Sequence, residues 1–332
     1  MDEFNCIQYI KSLSEFFACF EDKSDPFFYQ KKEKNEENEK REINNQPILY
    51  KRKTRQVFWF RGHEDYSYHL WPNLYRKIYD LNNSFQNLWD TLALYEKAMV
   101  DEYKVRNYHF LDGKIPENLF MWLSLMQHQE VATRLLDWTE DAIAGLFFSL
   151  ENYYKREKKV GSNVLPCIWV LKPRLLNEYI RKSIHHINKN QQNKSQNITS
   201  LFSLLEMDST KYPIEKIIKT DKKEGTFQQW IDNGYGHYFY PKAVAAPYNN
   251  ERIKVQRGAF IVFPLFNLLE IFKGEPYLEN LEYSNEFLRK YVLMQPRKIS
   301  EELKMIGIKR SMFYPEMPNV SVEVEDEFFR DP

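Results

Sequence analysis

An α+β fold is what this sequence predicts: one mixed sheet packed with helices, with polar inserts at its surface. Three observations predict it. Short runs of β-branched and aromatic residues mix with longer segments of helical period, but without the regular alternation of a doubly wound sheet. Two polar low-complexity stretches interrupt the apolar pattern. Aromatic residues make up 16% of the chain and glycine numbers 10 in 332 residues, which suits a packed core rather than a fibrous or disordered chain.

The elements follow in order. Residues 5–20 place Ile7, Ile10, Leu13, Phe16, Phe17 and Phe20 at helical spacing, and predict an amphipathic helix. The stretch "QKKEKNEENEKREINNQ", 30–46, carries both charge signs and almost no apolar group, so it predicts an exposed insert. Gln56–Phe60 is short and rich in β-formers, a buried strand. Residues 84–104 put Leu88, Leu92, Tyr95 and Met99 on one helical face. Pro116 marks a helix start, and "ENLFMWLSLMQHQ" is apolar nearly all round, so that helix is central. Thr139 is placed to cap the next helix, whose "AIAGLFFSL" uses small residues and implies tight packing. Strands are expected at 167–171, 242–246, 259–263 and 290–294, and a helix at 298–306 stopped by Gly307. The implied division is a helix and charged insert over 1–54, a main domain over 55–320 with a second polar insert near 186–200, and an acidic tail over 321–332.

Lys+Arg and Asp+Glu both total 47, so no global field draws the chain to nucleic acid or to an anionic membrane. Cys6, Cys19 and Cys167 form no C-x-x-C pair, which argues against a disulfide framework and a zinc knuckle. The start "MDEFNCIQYI" lacks the features of a signal peptide, and no window approaches the roughly 18 apolar residues of a membrane span. A cytoplasmic protein is expected. Phosphate loops, G-x-G-x-x-G, H-E-x-x-H and G-x-S-x-G are all absent, and no metal site is expected.

Three clusters set polar groups against apolar sequence: Arg61-Gly62-His63, "QHQEVATRLLDWT" at 127–139, and "RIKVQRGAF" at 252–260. An arginine in such a place needs a partner, because an unpaired buried charge is very costly. That partner is either Asp137, as a structural staple, or an anionic ligand gripped by the planar guanidinium fork. Gly62 allows close backbone approach. His63 and His128 are acid–base candidates, although a lone histidine is more often a satisfied hydrogen-bonding group; Tyr66, Tyr68 and Trp71 could wall a stacking site, although core packing is the commoner role of aromatics in so aromatic a chain. Arg61, Arg134, Asp137 and Gln256 are expected to converge on one cleft, since polar groups in apolar runs must find one another.

At this point the residues match a known pattern. The chain resembles the FRG domain family through Phe60-Arg61-Gly62 and the continuation Leu70, Pro72 and Arg76. It also carries Gln127-His128 with Thr133-Arg134-Leu135-Leu136-Asp137-Trp138-Thr139, then Arg252, Ile253, Gln256, Gly258 and Phe260, and finally "GIKRSMFYPEMPNV". Glu130 stands where that family usually has glycine, and Ala132 where it has proline. A looser resemblance links the pattern to ADP-ribosyltransferases. It implies an NAD-consuming, nucleotide-binding enzyme, a transferase or a glycohydrolase, with NAD as substrate and a protein or nucleic-acid target, in bacterial or phage conflict. On that reading Arg61, His128, Asp137 and Gln256 are catalytic candidates. Gly62, His63, Thr133, Arg134, Thr139, Gly258 and Phe260 would bind the ligand. Gly258 stands where the transferase pattern Q-x-E has its glutamate, so the acid would come from Asp137, Glu130 or Glu251. The competing expectations are a non-catalytic sensor of a nucleotide or protein, and a metal-independent nuclease or phosphodiesterase using His63 and His128.

Overall fold

A computed structural model describes residues 6–29, 57–111, 115–151, 164–187, 240–247, 251–267 and 274–329, a few single positions, and two short strands at Glu42–Ile43 (β2) and Gln46–Pro47 (β3). The rest of the 30–46 insert, and the second insert beyond residue 187, lie outside the described residues. The other strands form one seven-stranded mixed sheet in the order β1-β9-β6-β4-β5-β8-β7. They are β1 (Ile7–Ile10), β4 (Trp59–His63), β5 (Leu135–Thr139), β6 (Cys167–Leu171), β7 (Lys242–Ala245), β8 (Gly258–Val262) and β9 (Leu288–Leu293). Only the β1–β9 pair is parallel. An α+β fold with a mixed sheet is thus what the chain adopts.

Several elements differ from expectation for local reasons. The N-terminal stretch is not one helix. Ser12 accepts from the Glu15 amide at 3.1 Å and Glu15 reaches back to the Lys11 amide at 2.7 Å, a reciprocal cap that starts helix α1 at Leu13 (Leu13–Glu21). The residues before the cap are therefore extended, and they add β1 to the sheet edge. The strand expected at Gln56–Phe60 runs instead from Trp59 to His63, and every one of its residues pairs with β6. Trp59 enters one core and Phe60 the other, so Arg61 and His63 take their places in the alternation and do not follow the strand's end. The central helix α4 starts at Leu119 (Leu119–His128), where Asn118 caps the Met121 amide at 2.9 Å, not at Pro116. "LLDWT" is strand β5, and the cap of helix α5 (Ala142–Leu150) is Asp141 rather than Thr139. The helix Met317–Phe329 runs from the end of the expected main domain into the expected tail at 321–332.

Two apolar layers sandwich the sheet. On one face Trp59, Leu74, Leu92, Phe120, Trp169 and Phe260 form a core with helices α2 (Asn73–Asn82), α3 (Phe85–Asn107) and α4. On the other, Phe16, Phe60, Leu146, Ile168, Tyr291 and Ile299 join α1, α5 and the helix Pro296–Met305. Among the described residues no helix is long and apolar enough to cross a membrane.

Helix α5 sits unusually close to β4. A Cβ on Gly62 would lie 2.3 Å from the Gly145 carbonyl oxygen and from the Ser149 amide, and one on Gly145 would lie 2.7 Å from Phe60 Cβ. Both glycines are required by this contact. We expect Gly62→Ala to destabilise the fold by about 1–3 kcal/mol, because rigid helix backbone cannot yield as a side chain would. Urea unfolding of the purified variant measures it; an unchanged midpoint contradicts the close seat.

Candidate functional site

Two neighbouring ladders of the sheet are complete and one is not. β4 pairs with β6, and β5 with β8, at all five of their residues. β4 meets β5 only at Phe60 opposite Thr139. Past that pair the strands part, and the Arg61 side chain takes the place of the missing ladder. Its Nη1 donates to the backbone carbonyl of Asp137 at 2.6 Å and lies 3.9 Å from the Asp137 carboxylate. Its Nε donates to His63 Nε2 at 3.0 Å. The Nη2 group makes no hydrogen bond among the described residues. Burial pulls the guanidinium down to about 10, with Asp137 opposing and Arg76 adding to the shift, so the group stays charged at neutral pH.

A cleft of about 280 Å³ lies at this parting. Its walls come from β4 (Phe60, Arg61, Gly62), β5 (Asp137, Trp138, Thr139), α4 (Ser124, Gln127, His128) and the turn after it (Glu130). Beyond these stand Phe148, Glu151, Arg252, Ile253, Gln256, the Gly258–Phe260 strand and Tyr314. Asp137 is held from behind: Gln127 Nε2 donates to its Oδ2 at 2.8 Å, and Thr133 Oγ1 donates to Gln127 Oε1 at 2.6 Å. Its side chain remains 53% exposed, so it is not a buried charge that depends on Arg61 for its partner. Thr139 Oγ1 donates to the Gln256 carbonyl at 2.6 Å and accepts from the Asp141 amide at 2.9 Å.

The far wall is aromatic and cationic. Arg252 and Arg310 each lie 4.5 Å from the Tyr314 ring centroid. Tyr314 donates to Glu151 at 2.8 Å, and Arg310 pairs with the same carboxylate. Arg252 itself makes no ion pair among the described residues. Two buried polar atoms of the cleft residues also lack a hydrogen-bond partner: Ser124 Oγ and Trp138 Nε1.

Of the four residues expected to converge, Arg61, Asp137 and Gln256 do. Arg134 does not. It is wholly buried, ion-paired with Glu96 of α3 at 2.8 Å, and donates to the Phe263 carbonyl at 2.7 Å, so it ties β5 to α3 instead of binding a ligand. His63 lies behind Arg61 and is not part of the cleft wall. Thr133 likewise acts through Gln127. Gly62 borders the cleft, but the close approach it permits is to α5. Gln256 spends its amide on the Phe313 carbonyl at 3.0 Å. Gly258 packs on Ile253, and Phe260 stands edge-on to Phe120. His128, Thr139 and Phe260 do line the cleft. Sequence reasoning missed Ser124, Phe148, Glu151 and Tyr314 as wall residues. Only the C-terminal "MFYPEMP" gave any signal for one of them. Among the described residues no group of three or more His, Cys, Asp or Glu lies so as to hold a metal ion.

His63 carries a pH prediction. Burial, then the charges of Arg61, Arg76 and Lys290, hold its imidazole well below the usual range, with a hydrogen bond to the Tyr68 backbone acting the other way. The neutral ring accepts from Arg61, which puts its own hydrogen on Nδ1. Below about pH 6.5 the unfolded chain takes up a proton here that the folded chain refuses, so this stability is present above that pH and is lost as pH falls. We expect a loss of about 1–2 kcal/mol between pH 6.5 and 5. The His63→Gln variant is expected to give a flatter profile. Denaturation midpoints at matched pH values check this, and parallel profiles for the two proteins contradict it. Burial and Arg252 also lower His128.

Residues 56–159 match the sequence model of the FRG domain family. No curated protein and no solved structure matches the chain. The family match ends before the "RIKVQRGAF" and "GIKRSMFYPEMPNV" segments, yet β8 pairs along β5 and Gln256 binds Phe313, so both segments complete the same cleft.

Proposed function

We propose that this FRG-domain protein binds a nucleotide where β4 and β5 part, and consumes NAD there by ADP-ribosyl transfer or by hydrolysis. One observation carries the nucleotide reading. The cleft sets Arg61, whose Nη2 is unused among the described residues, and Arg252, which has no ion pair among them, in one wall set with Phe148 and Tyr314. Guanidinium forks suit phosphate oxygens, and aromatic walls suit a planar base. The volume of about 280 Å³ falls just below the roughly 300–1,000 Å³ of ligand pockets, so one nucleotide half is accommodated and a dinucleotide extends beyond it.

In the NAD reading, the bond between C1′ of the ribose and the nicotinamide nitrogen breaks, and nicotinamide leaves with the electron pair. Water or an acceptor nucleophile bonds to C1′ and gives up its proton. Asp137 is the carboxylate best placed to steady the cationic sugar, because it is half-exposed in the cleft and oriented by Gln127. A second reading, a nucleotide sensor without turnover, draws support from Gly258 at the position of the transferase glutamate and from the commitment of the Gln256 amide to Phe313. The paired-histidine nuclease draws none, since His63 and His128 do not share the cleft.

Incubating the pure protein with NAD and following nicotinamide release tests the enzyme reading. Thermal shifts with NAD, ADP-ribose and AMP run alongside. Release together with a stabilising shift is expected. A shift without release favours the sensor, and the absence of both overturns the nucleotide reading as a whole.

A further inference from the structure

We propose that Glu130 is a specificity-determining carboxylate that selects ribonucleotides by accepting hydrogen bonds from the sugar diol. The proposal rests on the nucleotide reading above. Glu130 sits two residues past the end of α4, at φ +61°, in the left-handed region that glycine adopts without cost. Its amide donates to the Gln127 carbonyl at 3.0 Å and the Val131 amide donates to Met126 at 2.9 Å, so the closure of the helix end imposes this conformation whatever the side chain. A glutamate there is held against its own preference, and such outliers gather at functional sites.

Its place at the border of the cleft is the second observation. Glu130 lines the same cleft as Arg61 and Arg252. Of the three carboxylates in the wall, Glu151 is held by Arg310 and Tyr314, and Asp137 by Gln127 and Arg61. Glu130 alone has no ion pair or hydrogen bond to its carboxylate among the described residues. A carboxylate offers only acceptors, and the exposed Glu130 borders the cleft whose arginines would take the phosphate. A ribose presents two adjacent hydroxyl donors next to that phosphate, and two carboxylate oxygens can receive both. A 2′-deoxy sugar leaves one of them unused.

The test is equilibrium binding of the four ribonucleoside 5′-monophosphates and their 2′-deoxy counterparts to wild type, Glu130→Gln and Glu130→Gly. Wild type is expected to prefer the ribose form of its best ligand by about tenfold, the effect of one charge-assisted hydrogen bond. Both variants are expected to bring that ratio near one. Glu130→Gly is expected to melt about 1–3 °C higher, because glycine relieves the backbone, which also shows that lost preference is not lost folding. Equal wild-type affinity for ribose and deoxyribose forms overturns the inference alone, as does a ratio that survives in Glu130→Gly. Absence of binding by all eight nucleotides overturns it together with the nucleotide reading.

Discussion

Glu96→Ala protein is expected to be less stable than the parent by about 3–5 kcal/mol, since it leaves the Arg134 guanidinium in a dry interior without its carboxylate. Both side chains are essentially solvent-free, and the ion pair joins α3 to the residue that leads into β5. Removing the pair together has a different consequence. In Glu96→Leu/Arg134→Leu no charge is left uncompensated, so the double variant is expected to recover most of the loss, less what the lost bond to the Phe263 carbonyl contributes. Urea denaturation followed by tryptophan fluorescence measures all three proteins. A double variant no more stable than Glu96→Ala contradicts a mutually compensated pair. The folded double variant is also expected to keep wild-type ligand affinity, because Arg134 does not reach the cleft.

This correction shows where sequence reasoning stopped. "TRLLDWT" marks Arg134 and Asp137 alike as polar residues in an apolar run. Three residues apart in an extended strand, they lie on opposite sides of it: one inward to α3, one into the cleft. Once β5 is recognised as a strand the difference follows, but its seven-residue apolar context between two helices carries no period that says strand. The 167–171 strand was legible to the residue, because Pro166 and Pro173 bracket it. The capping box at Ser12 was equally present in the sequence, and the apolar spacing of 5–20 masked it. What no local pattern contains is the incomplete β4–β5 ladder. The contacts found there, Gly62 and Gly145 seating α5 on β4 and Arg61 reaching Asp137 across the gap, all join segments distant in sequence. Gly62 does serve a close approach, but to the backbone of α5 and not to an anion.

The C-terminal wall was hidden for a related reason. Tyr314 and Glu151 are far apart in sequence and meet only because helix Pro296–Met305 and the Gly307 turn, at φ +80°, carry the chain back past α5.

The central claim is that Arg61 grips an anion where the sheet parts, and Arg61→Lys tests it most directly. Lysine keeps the charge but loses the fork that serves the Asp137 carbonyl, His63 and a ligand at once. Asp137 is half-exposed and bound by Gln127, so even Arg61→Ala creates no buried unpaired carboxylate. Its stability cost is expected to be about 1–3 kcal/mol, from two lost hydrogen bonds, and that of Arg61→Lys less. Ligand affinity is a different matter. A charge-assisted, two-pronged contact contributes about 1.5–3 kcal/mol, so both variants are expected to bind the best nucleotide roughly 10–100-fold more weakly while folded. The deciding measurement is calorimetric titration of that nucleotide into wild type and Arg61→Lys, each shown by its melting curve to be folded at the titration temperature. A loss of at least tenfold in Arg61→Lys is the predicted result; full affinity in the folded lysine variant would contradict the claim and leave Arg61 a structural bridge between two strands.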